Sequence, residues 1–431
     1  MPDAAVPLEA HLRRILDAVA PLPPRDVPLL QAHGLVLAEA VHADLDLPSF
    51  ANSSMDGYAV RAADLVGAAD DAPVALPVRG SIGAGAGAEA VVEAGTAVKI
   101  MTGAPLPPGA DAVVPYEWTD AGAETVQVRQ TPQAGAHVRP VGDDVARGAL
   151  LLEAGTRLTS RHLGLLAAIG RPTARVHPRP RVAVVSTGAE LRAPGESLGP
   201  DAIYDSNSTL LAAAALEAGV EPVHVGRLDD DVDGLWPALQ RLLPRVDLVV
   251  TSGGVSMGDF DVVKAALRAL DPADGEVWFG PVAMQPGKPQ GFGLLLDRSG
   301  TDGDAPRSVP ILTLPGNPVS SYLSFEVFAK PALRRQLGLP DDALTTPTVR
   351  ARLVGAVGSP AGRRQLLRGR LAADGTVTPV GGAGSHLMGF LAHADALIVV
   401  PEELTSVEDG AEVDVIPLPS WAPASRDGGA S

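Results

Sequence analysis

The chain has 431 residues, enough for roughly two to four domains, and 46% of them are hydrophobic, so it carries real cores. With 34 Lys and Arg against 51 Asp and Glu, the net charge of −17 excludes nucleic acid as a partner, because phosphate backbones need a basic footprint. No cysteine is present, which excludes disulfides, thiolate metal sites and a Cys nucleophile.

Aromatics are only 3%, so the cores must be built from Ala, Val and Leu, and 47 Gly with 40 Pro imply short elements joined by tight loops. The N-terminus lacks a charged segment followed by an apolar one, and no apolar run approaches the ~18 residues that span a bilayer. The expectation is a cytoplasmic protein with no membrane contact. Only Lys99, Lys264, Lys288 and Lys330 are lysines, so each one invites a question.

Leu8, Leu12, Ile15, Leu16 and Val19 recur at helical spacing and predict an amphipathic first helix. A second helix is expected after Asp26, stopping at Gly34. From 45 to 150, short Val-rich runs alternate with Gly and Pro, as in a small β domain. Leu158 to Ile169 is again helical, and the three prolines between Pro172 and Pro180 suggest a linker.

A strand–loop–helix rhythm follows. Strands are expected at Val182–Val185, Val223–Val225, Leu248–Val250, Phe292–Leu296 and Ile311–Leu314. Helices are expected after a cap at Asp205–Asn207, over Val232–Leu243 and near Val262–Leu270. This alternation predicts a doubly wound, mostly parallel sheet. Gly338 to Thr346 reads as a second linker, Val349 to Val415 as an all-β module, and the end as a disordered tail.

In such a sheet, ligands bind beyond the carboxyl ends of the strands. Three polar loops fall there: Ser186-Thr187-Gly188-Ala189-Glu190, Thr251-Ser252-Gly253-Gly254 through Asp261, and Pro315-Gly316-Asn317-Pro318-Val319-Ser320. Ser252, Gly253 and Gly254 let backbone N–H groups approach an anion. Asn317 is expected to cap a helix that starts at Pro318, leaving N–H groups free toward the crevice. Glu190, Asp259, Asp261 and the run Asp229-Asp230-Asp231 gather at this edge, and carboxylates beside an anion loop suggest a Mg²⁺ bridge. A charge run is most often a helix start, which tempers Asp230. Lys288, between Pro286 and Pro289, is a rigidly held point charge. Gly362-Arg363-Arg364 and Arg368-Gly369, with Gly384-Ser385-His386, suggest an oxyanion pocket, although a lone His386 is more often an ordinary surface histidine.

Together these motifs resemble the molybdopterin molybdenumtransferases, the family of bacterial MoeA and the gephyrin E domain. The matching pieces, in the family's order, are NSSMDGYAV (52–60), MTGAPLPPGADAVV (101–114), VGDD (141–144), STGAEL (186–191), IYDSN (203–207), TSGGVSMGDFD (251–261), QPGKP (285–289), LPGNPVS (314–320) and GSH (384–386).

The resemblance implies a multidomain α/β and β protein. It would have a helical dimerisation domain from residues 1–44 and 145–178 and an inserted β domain at 45–144. A central doubly wound MoaB/Mog-like α/β domain at 179–338, a C-terminal β barrel-like domain at 345–417 and a tail at 418–431 would follow. It implies a homodimer with a shared cleft, contact with the molybdopterin adenylyltransferase, and Mg²⁺-dependent insertion of molybdate into adenylylated molybdopterin with release of AMP. Asp56, Glu190, Asp230 and Asp261 would be catalytic, the last three serving Mg²⁺. Thr102, Asp144, Ser252, Gly253, Gly254, Lys288, Pro315, Pro318, Ser320, Arg368, Ser385 and His386 would bind substrate. Three positions depart from the family pattern: Gln285 where many relatives carry Lys, Ala189 where an acid is common, and Phe279 where some carry a base. The adenylyltransferase itself is essentially the central domain alone, and a non-enzymatic scaffold carries extra domains and long linkers; both fit this chain less well.

Overall fold

The structure is a computed structural model that describes residues 4–85, 90–228, 232–255, 261–300 and 305–419. Helix α1 (Leu8–Ala18) buries Leu8, His11 and Ile15. The family resemblance implied a domain joining this region to residues 145–178; the apolar face of α1 belongs to the core of the α/β domain. Just before it, the Val6 N–H donates to the Pro281 carbonyl and the Ala283 N–H to the Val6 carbonyl, both at 2.8 Å.

The helix expected after Asp26 is instead a strand, Arg25–Pro28, followed by a 3-10 turn over Leu29–Ala32. Pro28 forces Val27 into extended backbone, which ends any helix there. The proline-rich linker is also a strand. Thr173–His177 lies between Arg25–Pro28 and Val36–Leu37, burying Ala174 and Val176. Its prolines flank the strand and so remove no ladder hydrogen bond. With Leu150–Leu152 paired to Val41–His42 and α2 (Ser160–Ala168), these pieces form one small core. That unit, expected to be helical, is mostly short strands.

The inserted domain is a five-stranded sheet in the order Ala112–Pro115, Gly57–Val60, Ala97–Ile100, Val74–Ile82, Thr125–Val128.

The central sheet has six strands in the order Glu221–Arg227, Arg181–Ser186, Leu248–Ser252, Arg307–Leu314, Pro289–Asp297, Gly275–Pro281. The first four are parallel, and the last two join antiparallel. Their connections are hairpin-like, so no crossover helix is needed to reverse the chain. Helices α3 (Ser206–Glu217), α4 (Val232–Leu242), α5 (Val262–Arg268), α6 (Pro318–Ser324) and α7 (Lys330–Gln336) cover both faces, with a π turn at Phe325–Ala329 between the last two. One face packs on α1, α3, α6 and α7, the other on α4 and α5.

The C-terminal module closes into a five-stranded barrel: Arg364–Leu371, Thr376–Pro379, Val349–Leu353, Glu412–Pro417, Ala396–Val400 and back to the first. A short α8 (Met388–Leu391) is inserted. The strand Met284–Gln285 of the α/β domain extends this sheet by pairing parallel with Arg364–Gln365. Leu418, expected in the disordered tail, is buried and its N–H donates to the Asp395 carbonyl at 2.8 Å. Among the described residues no helix is long and apolar enough to cross a membrane.

His11 is the unexpected member of the α1 interface. It is 1% exposed, edge-on to Phe328 at 4.8 Å and tilted against Trp278 at 5.2 Å, and its Nδ1 has no hydrogen-bond partner. Burial, reinforced by Arg14, pushes its pKa from 6.5 down to about 3. The unfolded chain therefore binds the extra proton between these values, so the stabilisation from neutral His11 is complete above pH 6.5 and is lost as pH falls toward 3. We predict that His11→Leu removes this acid-sensitive component. Relative to the variant, wild-type protein should lose up to about 1.4 kcal/mol per pH unit below 6.5 in urea unfolding. Parallel curves for the two proteins between pH 7.5 and 5 would contradict the assignment.

Candidate functional site

Strands Arg181–Ser186, Leu248–Ser252 and Arg307–Leu314 end level with one another, Ser186 opposite Ser252 and Ser252 opposite Leu314. The loops that follow therefore converge at one edge, where two adjoining pockets share Val255, Gly316 and Asn317.

The larger pocket, about 460 Å³, is lined by Ser186 to Gly188, Glu190, Asp205 to Asn207, Ser252 to Val255, Asp261 and Pro318. Its floor is a tight turn that only glycine can make. Gly253 and Gly254 have φ of +94° and +65°, and a Cβ on Gly253 would lie 2.9 Å from the Thr187 carbonyl oxygen. Side chains lock the turn in place. Asn207 Nδ2 donates to Ser252 Oγ at 2.8 Å and to the Gly316 carbonyl at 2.6 Å, tying the first turn of α3 to two of the three strand ends. Ser252 Oγ also contacts Ser321 Oγ at 3.1 Å, so this hydroxyl serves the scaffold. Asp205 caps α3 by accepting from the Ser208 N–H at 3.0 Å, and its other oxygen accepts from the Ser208 and Ser186 hydroxyls. Asn207 is the residue that sequence reasoning passed over; its position two residues after a cap gives no hint of a bridge to loops 45 and 109 residues away.

The acids of this pocket sit at its rim and wall. Glu190 is exposed and its carboxylate folds over Gly188, where a Cβ would meet it at 2.6 Å. Asp261 is half-buried, its Oδ2 has no hydrogen-bond partner among the described residues, and burial raises its pKa while Lys264 opposes the rise. Asp230 and Asp259 lie outside the described residues. Among the described residues no group of three or more His, Asp or Glu side chains is gathered for a metal.

The second pocket, about 370 Å³, has a different character. The Gln285–Pro289 loop, the Pro315–Asn317 turn and Ser320 form one side; Arg363, Ala383 and Ser385 of the barrel form the other. No carboxylate is among its described lining residues, yet two cations are, Lys288 and Arg363. The remaining lysines are occupied elsewhere: Lys330 pairs with Glu326 at 2.7 Å in the core, Lys99 lies over the Tyr116 ring, and Lys264 faces Asp261. Lys288 and Arg363 have no ion pair among the described residues, whereas the neighbouring Arg364 is held by Glu9 and Glu402.

Arg368 does not line this pocket. It is buried in the barrel and donates to the carbonyls of Gly382 and Gly384, holding the turn that presents Ser385. The arginine that reaches the pocket is Arg363. Asn317 makes no cap hydrogen bond to α6, contrary to the sequence reading. Its Nδ2 donates instead to Ser385 Oγ at 2.9 Å, and the Val319 N–H donates to the Ser385 carbonyl at 3.1 Å, so the barrel supplies the partner expected within the loop. His386 is exposed and lines neither pocket.

Asp56 and Thr102 form a pair of their own on the inserted domain. Asp56 Oδ1 accepts from the Thr102 N–H at 2.7 Å and hydroxyl at 2.8 Å, which holds the carboxyl below the usual carboxylate range. Asp144 is exposed, and its N–H donates to the Leu47 carbonyl. None of these three lines either pocket.

Comparison with known proteins agrees with this layout. Residues 6–170 match the family profile described as "MoeA N-terminal region (domain I and II)", residues 183–335 the "Probable molybdopterin binding domain", and residues 350–418 the "MoeA C-terminal region (domain IV)". The chain is 45% identical over 411 residues to molybdopterin molybdenumtransferase 2 of Mycobacterium tuberculosis strain H37Rv, covering 95% of this chain and 98% of that one. It is 35% identical to molybdopterin molybdenumtransferase of Bacillus subtilis, covering 88% and 86%. The crystal structure of a molybdopterin biosynthesis MoeA protein from Pyrococcus horikosii superimposes with a TM-score of 0.81 at 32% identity, covering 97% of this chain and 100% of that one. The chain thus belongs to the molybdopterin molybdenumtransferase family and is a transferase of molybdenum cofactor biosynthesis.

Proposed function

We propose that the two pockets receive the two substrates of molybdenum insertion, adenylylated molybdopterin in the acidic pocket and molybdate in the cationic one. The observation that carries this reading is the charge division: Glu190 and Asp261 line one pocket, Lys288 and Arg363 the other, and the two share a wall. A tetrahedral dianion is matched by two cations, one of them a planar guanidinium, with the Ser320 and Ser385 hydroxyls alongside. In this reaction water cleaves the phosphoanhydride, AMP departs and the other phosphate stays on molybdopterin, while the two dithiolate sulfurs replace two oxo groups of molybdate, which leave with protons as water.

Mg²⁺ fits the acidic pocket. Asp261 Oδ2 is a buried acceptor without a partner among the described residues, and Glu190 lines the same space, so these two oxygen donors would hold the ion. When bound, it supplies positive charge to the phosphoanhydride oxygens. The glycine turn at 253–254 keeps side chains away from the phosphate, and the Asn207 bridge keeps the turn from moving.

Purified protein should release AMP from adenylylated molybdopterin only when both molybdate and Mg²⁺ are supplied; release with either omitted would contradict the proposal. Asp261→Asn should abolish turnover while the thermal midpoint is kept, and wild-type turnover in that variant would remove Asp261 from the reaction. Arg363→Ala should raise KM for molybdate by about ten- to a hundredfold, the range of a charge-assisted hydrogen bond.

Asp56, Thr102 and Asp144 stand apart from both pockets of their own chain, which supports a homodimer in which the inserted domain completes the partner's cleft. Equal mixing of Asp56→Ala and Asp261→Asn proteins, with subunit exchange, should then restore about a quarter of wild-type activity, because half the dimers carry one intact cleft. No recovery would place both residues in one chain's cleft.

A further inference from the structure

The cationic pocket is walled by two pieces of chain that are distant in sequence, the Gln285–Pro289 loop with Lys288 and helix α6 with Ser320. One buried side chain joins them. Gln290 Nε2 donates to the Gly287 carbonyl at 2.7 Å and to Ser324 Oγ at 2.7 Å. Gln290 is 2% exposed and Ser324 fully buried, and neither lines the pocket. Both amide hydrogens are thereby used. Turning the amide over would set its oxygen against the Gly287 carbonyl, acceptor against acceptor, so the orientation is determined.

Gly287 is shaped to this contact. Its φ is +105°, and a Cβ there would come within 3.0 Å of Ser324 Oγ and 3.4 Å of Gln290 Nε2. The peptide immediately before Lys288 is thus seated directly on the amide. A lysine is a point charge on a flexible stem, so the part of its placement that a fold controls is the backbone from which it springs.

We infer that Gln290 is a positioning residue: by locking the Gly287–Lys288 peptide to α6, it sets where the Lys288 ammonium enters the pocket. The inference rests on the reading that an oxyanion occupies this pocket. A residue that only stabilised the fold would, when replaced, lower stability and turnover together. A positioning residue alters the affinity for the oxyanion and leaves the rest of the reaction alone.

The test uses the full chain with Gln290→Met, which keeps the length of the side chain and removes the N–H donors. KM for molybdate in the AMP-release assay should rise about tenfold, with kcat at saturating molybdate within about twofold of wild type. The dissociation constant for molybdate alone, from calorimetry, should rise in step. Ser324→Ala opens the same bridge from the other side and should act in the same direction, and the double variant should be no worse than Gln290→Met. Ser324→Ala also carries the test by itself if the methionine variant does not fold.

Wild-type KM and affinity in both variants, or a fall in kcat without a change in KM, would overturn the positioning role. Lys288→Met separates the two levels. If it weakens molybdate binding while Gln290→Met and Ser324→Ala do not, only the inference falls; if it leaves binding unchanged, the assignment of the pocket falls and takes the inference with it.

Discussion

The parallel register of the central strands is the constraint on which the site depends. Because Ser186, Ser252 and Leu314 stand side by side across three strands, their loops begin at one level and meet at one edge. A slip of one residue in any pairing would exchange the two faces of that strand and tilt its loop away from the others. Burial of the strands on both faces uses up their aliphatic residues, Val182 and Val184 in one core, Ala183 and Val185 in the other. The polar residues of these segments are thereby left to the strand ends.

The rest of the protein is attached to that edge by ordinary backbone hydrogen bonds placed where they matter. The strand Met284–Gln285 is shared between the central domain and the barrel, and just before it Val6 adds a pair of bonds to Pro281 and Ala283. The Lys288 loop is therefore held by three elements at once. Arg364, pinned by Glu9 and Glu402, sits on the strand that also carries Arg368, while Arg363 one residue earlier faces the pocket. Two adjacent arginines thus take opposite tasks. In a chain with a net charge of −17, a pocket whose described lining holds two unpaired cations and no carboxylate attracts anions through its local groups. The acidic pocket next to it keeps its carboxylates apart from those cations, so neither set neutralises the other.

Apart from the strand Arg25–Pro28, where Pro28 acts locally, sequence reasoning and structure part through contacts made over a long distance. The strand Thr173–His177 looked like a linker because its flanks are proline, but the partners that make it a strand lie near residues 25 and 36. His11 fits a helical stripe by spacing, yet only the tertiary contact with Trp278 and Phe328 makes it a core residue. Asn317 has the right place for a cap, and the barrel took its amide instead. Arg363 and Arg368 are equally plausible from their spacing; Arg363 lies in the turn before the barrel strand and Arg368 within it, and the docking of the barrel brings the turn to the anion pocket.

The sequence by itself determined the ordered motifs, the glycine turn at 253–254, the alternation that builds an α/β sheet, and the lysine held between two prolines. These are local: they follow from backbone freedom, side-chain period and charge within a few residues. Only the tertiary structure decided which groups meet. Joining Asn207 to Ser252 and Gly316, Gln290 to Gly287 and Ser324, and Ser385 to Asn317 requires strands and domains to be docked first. Each of these links is a hydrogen bond of about 3 Å reach, and so short an interaction leaves its mark on the fold and none on the spacing of residues along the chain.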